Sequence, residues 1–309
     1  IGVAIYPNDG LDPETLVRNS DSAMYRAKDQ GRDRYQLYAS EMNAQAIERL
    51  ALEATLRKAV SERQLVLHYQ PVLEAATGTI VGVEALIRWK HPKKGLLPPS
   101  EFISLAEVSG LIVPIGEWVV RTACKQLRSW EKRLEKPLIM AVNLSARQFQ
   151  HPEIVESIRE AIAESGVDPA SIEIEITESS AMQNVDHAVF TLRELKAIGV
   201  QIAMDDFGTG YSSLNYLKRF PIDLLKLDQT FVREVMTDER DAAIVGAVIV
   251  MAHRLGLKVI AEGVETEEQL AYLRREGCDF IQGYLYSRPL PAAQFEEFLE
   301  AHKSDLTAR

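Results

Sequence analysis

Carboxylates, amides and one lysine recur in this sequence where apolar runs end. Val83-Glu84 closes one run and Val142-Asn143 another. Glu173-Ile174-Glu175-Ile176-Thr177 follows, and in a strand it would put Glu175 on the same side as Glu173 and Thr177. Met204-Asp205-Asp206, Lys226-Leu227-Asp228, Ala261-Glu262 and Phe280-Ile281-Gln282 continue the series. Each has a plain explanation when taken alone. Asp205-Asp206 before Phe207-Gly208 makes a turn, Glu84 opens a solvated loop, and Lys226 is an exposed cation. Gathered in one cavity, however, such a set of acids is costly unless cations neutralise it. Oxygen ligands without His or Cys suit Mg²⁺ or Mn²⁺. Adjacent aspartates let one carboxylate bridge two ions while its neighbour holds only the second. Two cations roughly 3.5–4 Å apart are a device for in-line displacement at phosphorus.

To meet, these residues need a fold that brings successive strand ends together. Apolar runs at 65–73 and 80–89 are separated by Glu74-Ala75-Ala76-Thr77-Gly78-Thr79, a hairpin signal. Further strands are expected near 138–144, 172–177, 200–205, 224–227, 258–261 and 280–285, with helices at 116–130, 152–165, 185–198 and 241–255 between them. Runs such as Ile139-Met140-Ala141-Val142 are apolar on both faces, as in parallel strands covered by helices. The expected fold is α/β, a TIM-like (β/α)8 barrel whose opening hairpin makes one strand antiparallel. The C-terminal strand ends of such a barrel share one cavity. An open doubly wound sheet is the rival, but no Gly-rich dinucleotide turn supports it.

The first forty residues read differently. A strand candidate at 1–6, the turn Pro7-Asn8-Asp9-Gly10, a helix at 12–30 and a short strand at 34–38 form an α+β piece too small to fold alone. From 40 to 63, Met42, Ile47, Leu50, Leu52, Leu56 and Val60 recur at helical spacing with charges between them, an amphipathic linker helix. The expected organisation is an N-terminal remnant at 1–39, the linker at 40–64, the barrel at 65–302 and a tail at 303–309. Because Ile1 lies inside a strand-like run, the chain is expected to be part of a longer protein.

The 309 residues, 46% hydrophobic and 26% charged, can bury a large core. A net charge of -10 argues against a surface for polymeric nucleic acid. A small anion remains compatible, because a bound divalent cation reverses the local field. Cys124 and Cys278 give no zinc spacing or disulfide framework and read as buried thiols. No signal peptide or bilayer-length apolar run is present, so this portion reads as cytoplasmic, while a parent protein could still be membrane-anchored.

The same residues carry a resemblance. Glu84-Ala85-Leu86 with Arg88 resembles the signature of the EAL family of cyclic-di-GMP phosphodiesterases. So do Asn143-Leu144-Ser145, Glu175-Ile176-Thr177-Glu178, Asp205-Asp206-Phe207-Gly208-Thr209-Gly210, Lys226-Leu227-Asp228, Glu262-Gly263-Val264-Glu265 and Gln282-Gly283-Tyr284, in order over 65–299. Before them, Ile1-Gly2-Val3-Ala4, the stretch from Asn19 to Lys28 and Gly31-Arg32-Asp33 resemble the end of a GGDEF diguanylate cyclase domain. The Gly-Gly-Asp-Glu-Phe signature itself is absent from these residues.

The resemblance implies a site. Glu84, Asn143, Glu175 and Asp205 would hold one cation, and Asp205 with Asp206 the second, with Glu262 at or near it as ligand or base. Lys226 would orient the attacking water and stabilise charge at phosphorus. Arg88 would clamp a phosphate. Gln70, Leu86, Asp228 and Gln282 would contact substrate, with Glu265 supporting from behind. Residues 206–213 would form a mobile loop given freedom by Gly208 and Gly210 and held by Glu178, while Ser212-Ser213 also suit a helix cap. Gln70-Pro71 and residues 99–107 resemble segments that approach guanine, although Phe102-Ile103-x-x-Ala106 equally suits helix packing. The implied cofactor is a pair of Mg²⁺ or Mn²⁺ ions, with Ca²⁺ inhibiting. The implied partners are cyclic-di-GMP, a second copy of the chain in a homodimer, and an upstream sensory or GGDEF domain. A dinucleotide receptor without turnover, or a metal-assisted aldolase or enolase-type barrel, would share parts of this pattern.

Overall fold

The computed structural model describes the chain except residues 30–32, 133–136, 209–213 and 308–309, and omits the side chains of residues 29, 43–47, 214, 215 and 303–307. The N-terminal piece consists of β1 (Gly2–Val3), α1 (Pro13–Asp29) and β2 (Gln36–Leu37), with β1 and β2 paired in parallel. The linker helix α2 (Glu41–Ala59) buries Leu56 and Ala59 in the main core and leads into the barrel. The barrel begins with β3 (Leu65–Glu74) and β4 (Ile80–His91), extended by a short hairpin strand β5 (Gly95–Leu97). Helices α3 (Ile103–Ser109) and α4 (Ile112–Glu131) precede β6 (Ile139–Leu144). Then come α5 (Ala146–Phe149), α6 (Ile154–Ser165), β7 (Ile172–Thr177), α7 (Glu178–Met182), α8 (Val185–Ile198) and β8 (Gln201–Phe207). The chain continues through α9 (Leu214–Leu217), β9 (Leu224–Leu227), α10 (Gln229–Glu234), α11 (Glu239–Arg254) and β10 (Lys258–Ala261). It closes with α12 (Glu267–Arg275), β11 (Phe280–Ile281), β12 (Leu290–Pro291) and α13 (Ala292–Thr307).

Eight strands close on themselves in the order β3-β11-β10-β9-β8-β7-β6-β4, with β4 returning to β3. β3 runs antiparallel to both barrel neighbours, and the other barrel pairings are parallel. The fold is therefore the barrel with one reversed strand that the hairpin signal implied. The helices form because their ends are capped. Asn184 accepts the N–H of His187 at the start of α8, and Gly199 ends it at φ +105°. Thr266 and Gln269 make a reciprocal capping box on α12.

Outward-facing strand residues such as Ile174, Met204, Leu225 and Val259 are buried beneath the helices in the main core. Inward-facing Val72, Ala203, Leu224 and Ile260 make a second, smaller apolar cluster that fills the barrel interior. Cys124 and Cys278 are buried free thiols, with burial pushing them to about 11 and about 12. Phe102 and Ala106 are buried in the core, as the packing alternative held. No helix among the described residues is long and apolar enough to cross a membrane.

Candidate active site

Each of the eight barrel strands delivers one polar residue to the same layer, just above the interior apolar plug. Gln70 faces Glu84 across β3 and β4, and Asn143 faces Glu175 across β6 and β7. Asp205 lies on β8 and Lys226 on β9, while Glu262 and Gln282 come one residue after β10 and β11. The alternation of a strand explains the selection. Leu224 and Lys226 share a face, as do Ala203 and Asp205, or Ile260 and Glu262. The lower member of each pair belongs to the plug.

A regular strand would send Asp205 and Asp206 to opposite faces. Here the register between β8 and β9 shifts between Met204 and Phe207, so one extra residue stands opposite Lys226. Such a bulge re-aims side chains. Asp206 has φ +53°, a left-handed conformation that a non-glycine residue adopts at a cost of about 1 kcal/mol. Its N–H donates to Asp205 Oδ1 at 2.9 Å. The strained pair is thus built into the strand end rather than being an ordinary turn.

Lys226 is at the centre and almost wholly buried. Its Nζ lies 2.7 Å from Glu175 Oε1 and 2.7 Å from Glu262 Oε1, with Asp205 Oδ1 at 3.7 Å and Glu84 Oε2 at 3.8 Å. Both oxygens of Glu84 accept amide N–H groups, from Asn143 at 2.5 Å and Gln282 at 2.6 Å. Gln282 also donates to Gln70 Oε1 at 3.2 Å, and Gln70 donates to the Ser287 carbonyl.

Four carboxylates around one ammonium leave an excess of negative charge. Burial raises Glu84, but Lys226 and the amide donors outweigh it and hold this carboxyl below its ordinary range. Burial and the neighbouring Glu84 push Glu175 well above its ordinary value despite Lys226. Burial, with Asp205 and Glu84 nearby, raises Glu262 to about 8. Asp206 rises to about 6 through burial and the charges of Asp205 and Asp228. Glu173, one strand repeat below Glu175, is pushed by burial to about 7. Burial alone would lower Lys226, but its carboxylate neighbours raise it well above its ordinary value, so it is charged.

This environment suits hard cations. Glu175 Oε2 is buried without a hydrogen-bond partner, as is Gln282 Oε1, and the donors are oxygens throughout. A second acidic group, Glu234, Asp238 and Asp241, has one oxygen from each within 4.8 Å of the others. It spans the junction between the end of α10 and the start of α11, where Asp238 caps the helix, and it lacks the burial of the strand-end cluster.

Above the cluster opens a cavity of about 240 Å³, lined by Gln70, Glu84, Leu86, Asp205, Glu262, Glu265 and Gln282 among others. Most of the residues singled out from sequence thus converge. Arg88 lies on β4 beyond Leu86 and donates to its neighbour's carbonyl, Ile87 O, at 2.8 Å. Asp228 does not line the cavity: its Oδ1 caps α10 by accepting from the N–H and hydroxyl of Thr230. Glu178 Oε2 accepts the N–H of Gly208 at 3.2 Å, tying it to the start of the 206–213 segment. Gly210, Thr209 and Ser212-Ser213 lie outside the described residues, as do Gly31 and Arg32. Gln229, Gly263, Gly283 and Tyr284 also line the cavity. Sequence reading gave none of them a role. For Gln229 the one signal was its place directly after Lys226-Leu227-Asp228.

A barrel of seven parallel strands and one reversed strand, carrying acids, amides and a buried lysine in one layer, places its candidate ligand site at the C-terminal face of the parallel strands. Residues 53–289 match the EAL domain, and residues 1–34 match the diguanylate cyclase GGDEF domain. The chain belongs to the EAL-domain family and carries a GGDEF segment before the barrel. It is 51% identical over 294 residues to "Bifunctional diguanylate cyclase/cyclic di-GMP phosphodiesterase MucR" of Pseudomonas aeruginosa, covering 95% of this chain and 43% of that protein. It is 44% identical over 305 residues to "Cyclic di-GMP phosphodiesterase NbdA" of the same organism, covering 99% of this chain and 39% of that one. The chain thus spans about two fifths of the length of these curated relatives. The solved structure described as "PaMucR Phosphodiesterase, c-di-GMP complex" is similar at a TM-score of 0.77 and 50% identity, covering 79% of this chain and 99% of that one.

Proposed function

We propose that this chain hydrolyses cyclic-di-GMP with the help of two divalent cations, releasing the linear dinucleotide 5′-pGpG. The observation that carries the reading is the cluster on Lys226: buried acids held in excess, one with an orphaned oxygen, in a chain similar to named cyclic-di-GMP phosphodiesterases. Glu84, Asn143, Glu175 and Asp205 would hold one ion, and Asp205 and Asp206 the other, with Glu262 at or beside it. When bound, Mg²⁺ or Mn²⁺ supplies Lewis acidity and neutralises charge at phosphorus.

The chain's own groups do the remaining work. Gln282 and Asn143 fix the Glu84 carboxylate through its two oxygens. Lys226 Nζ holds the acids together and stabilises charge on the phosphoryl oxygens. Glu262, as carboxylate, takes the proton of the attacking water at Oε1. Arg88 binds a phosphate, and Gln70 and Leu86 contact the nucleotide with Glu265 and Asp228 in support. Glu178 and Gly208, with Gly210, govern the 206–213 loop. We place the barrel at 65–302, the linker at 40–64, the GGDEF remnant at 1–39 and the tail at 303–309. A homodimer, an upstream sensory or GGDEF domain and a cytoplasmic site of action belong to the same proposal.

The water attacks one phosphorus and expels the 3′ oxygen, which leaves the 5′ phosphate of pGpG. A second cut requires the linear product to rebind with its other phosphodiester in place, without ring closure to fix its geometry. Incubation with cyclic-di-GMP in Mg²⁺ should therefore accumulate pGpG, with GMP appearing slowly. Ca²⁺, larger and less acidifying toward water, should suppress turnover. GMP rising in step with substrate loss would overturn the single-cut mechanism. Tight binding without turnover in Mg²⁺ would make the chain a receptor instead.

A further inference from the structure

Helix α10 stands between the two strand-end loops that carry Asp205, Asp206 and Glu262, and it touches a glycine in each. It follows β9, whose barrel neighbours are β8 and β10. On the β8 side, a methyl group built on Gly208 would lie 2.9 Å from Phe231 Cε2 and 3.1 Å from Cζ. On the β10 side, a methyl on Gly263 would lie 2.5 Å from Gln229 Cβ. Both glycines have positive φ, +97° and +69°. Gly208 is also tied from its other flank, because its N–H donates to Glu178 Oε2.

Buried Gln269 completes the assembly. Its Oε1 accepts the N–H of Glu265 at 2.7 Å and of Thr266 at 3.0 Å, and its Nε2 donates to Val232 O at 3.1 Å. One side chain therefore ties α10 to the loop after Glu262. Asp228 fixes the start of the helix two residues after Lys226.

We propose that Phe231 and Gln229 are positioning residues that set the separation between the Asp205-Asp206 strand end and the Glu262 loop. The inference rests on the reading of these three acids as ligands of the same pair of cations. Asp205 and Glu262 crowd the same Lys226 ammonium, at 3.7 and 2.7 Å, with Asp206 beside Asp205, so these like charges repel one another at short range. Without a spacer on one side and a tether on the other, the two loops would relax apart, and binding a cation would have to draw them back. Groups that orient ligands in this way typically change metal affinity by about 10–100-fold when removed. The phenyl ring reaches Gly208 with its far edge, so a leucine at 231 keeps an apolar side chain but shortens the reach.

The test is Mn²⁺ binding to the full chain, followed by electron paramagnetic resonance, with thermal melting as a control. Phe231→Leu is expected to weaken Mn²⁺ binding about tenfold and to change the melting temperature little. Its kcat at fixed Mg²⁺ should fall more than its KM rises, and extra Mg²⁺ should restore it. Gln229→Gly, at an exposed position, removes the contact with Gly263 and should weaken Mn²⁺ binding in the same direction. It decides the matter if Phe231→Leu does not fold. Wild-type Mn²⁺ affinity in folded variants would overturn the proposal, as would a rise in KM alone. If the wild-type chain binds Mn²⁺ but leaves cyclic-di-GMP intact, the proposed reaction falls while the Mn²⁺ comparison still judges the spacer.

Discussion

At the strand N-terminal end of the barrel, Lys196 Nζ lies 2.9 and 2.8 Å from the two oxygens of Asp223, and Asp223 Oδ2 also accepts the N–H of Ile202. Nearby, Asp279 Oδ2 accepts the N–H of Val259 and meets His253 Nε2 at 2.8 Å. Each carboxylate there has one cationic or ring partner, a backbone N–H and access to water. At the opposite end, Lys226 is shared among four carboxylates, three of them buried and Glu262 partly so, one oxygen is orphaned, and Asp206 is left-handed. The first arrangement closes the barrel by pinning strand starts. The second holds electrostatic conflict that something else must relieve, as expected where sequence rules are broken for function. Barrels commonly divide stability and function between their ends in this way.

Exchanging the two lysines gives the sharpest test of that division. If the proposed reaction holds, Lys226→Met should lower cyclic-di-GMP hydrolysis by about 10³-fold, because it removes the buried charge that the proposal sets beside the reacting phosphate. Lys196→Met should leave turnover near wild type and lower stability by about 1 kcal/mol or less, its ion pair being a third exposed. Steady-state kinetics and chemical denaturation of both variants decide it, and a large activity loss in Lys196→Met would break the contrast. On the proposed two-cation site, Asp205→Asn should also nearly abolish turnover while keeping nucleotide binding, since an amide would not offset the charge of both cations. Substantial residual activity in Mg²⁺ would make the bridging assignment wrong.

How far sequence reached can be seen at the same two ends. The barrel and its single reversed strand followed from apolar runs and one hairpin turn, and α8 begins and ends where periodicity put it. Seven residues of the polar layer were visible as polar residues closing apolar runs, whereas Gln70, inside the reversed strand β3, was named only through the family resemblance. The bulge at Asp205-Asp206 was not, because it exists only relative to β9, a partner 20 residues away in sequence. The run expected at 280–285 stops at Ile281, where Gly283 packs against the backbone of Val264. The strand expected at 1–6 shrinks to Gly2–Val3, since its described ladder is only the two residues of β2. The roles of Gln229 and Phe231 were illegible because each depends on a glycine in a neighbouring loop.

Two glycines sharpen the comparison at smaller effect. A methyl on Gly283 would lie 2.0 Å from Val264 O, so the loop between Glu262 and Glu265 must shift. Gly283→Ala should lower stability by about 3 kcal/mol and depress turnover with it. Gly256, before β10 at the other end, has φ +79° and nothing within 4 Å of its added methyl. Gly256→Ala should lose only about 1 kcal/mol of backbone preference and keep wild-type kinetics. Equal kinetic losses in the two variants would contradict the division.

The smallest expected effect is a pH slope. Glu262, Glu173 and Asp206 are raised to about 8, 7 and 6, and Glu175 further above its ordinary value, chiefly by burial. In the unfolded chain these groups ionise near pH 4, so between about pH 5 and pH 8 the folded chain holds more protons. Stability therefore falls as pH rises through that window. Glu84, lowered in the folded chain, contributes the opposite way, with stability that is lost only as pH falls below the ordinary carboxylate range. Lys226, raised above its ordinary value, stays charged throughout and contributes no slope there. The metal-free chain should thus melt a few degrees lower at pH 8.5 than at pH 6, and Glu262→Gln should flatten that slope. Mg²⁺ should reverse it, because cations and protons compete for the same oxygens. A melting temperature that rises with pH in the presence of EDTA would show that the strand-end acids are ionised without help, and the contrast between the two ends would lose its electrostatic basis.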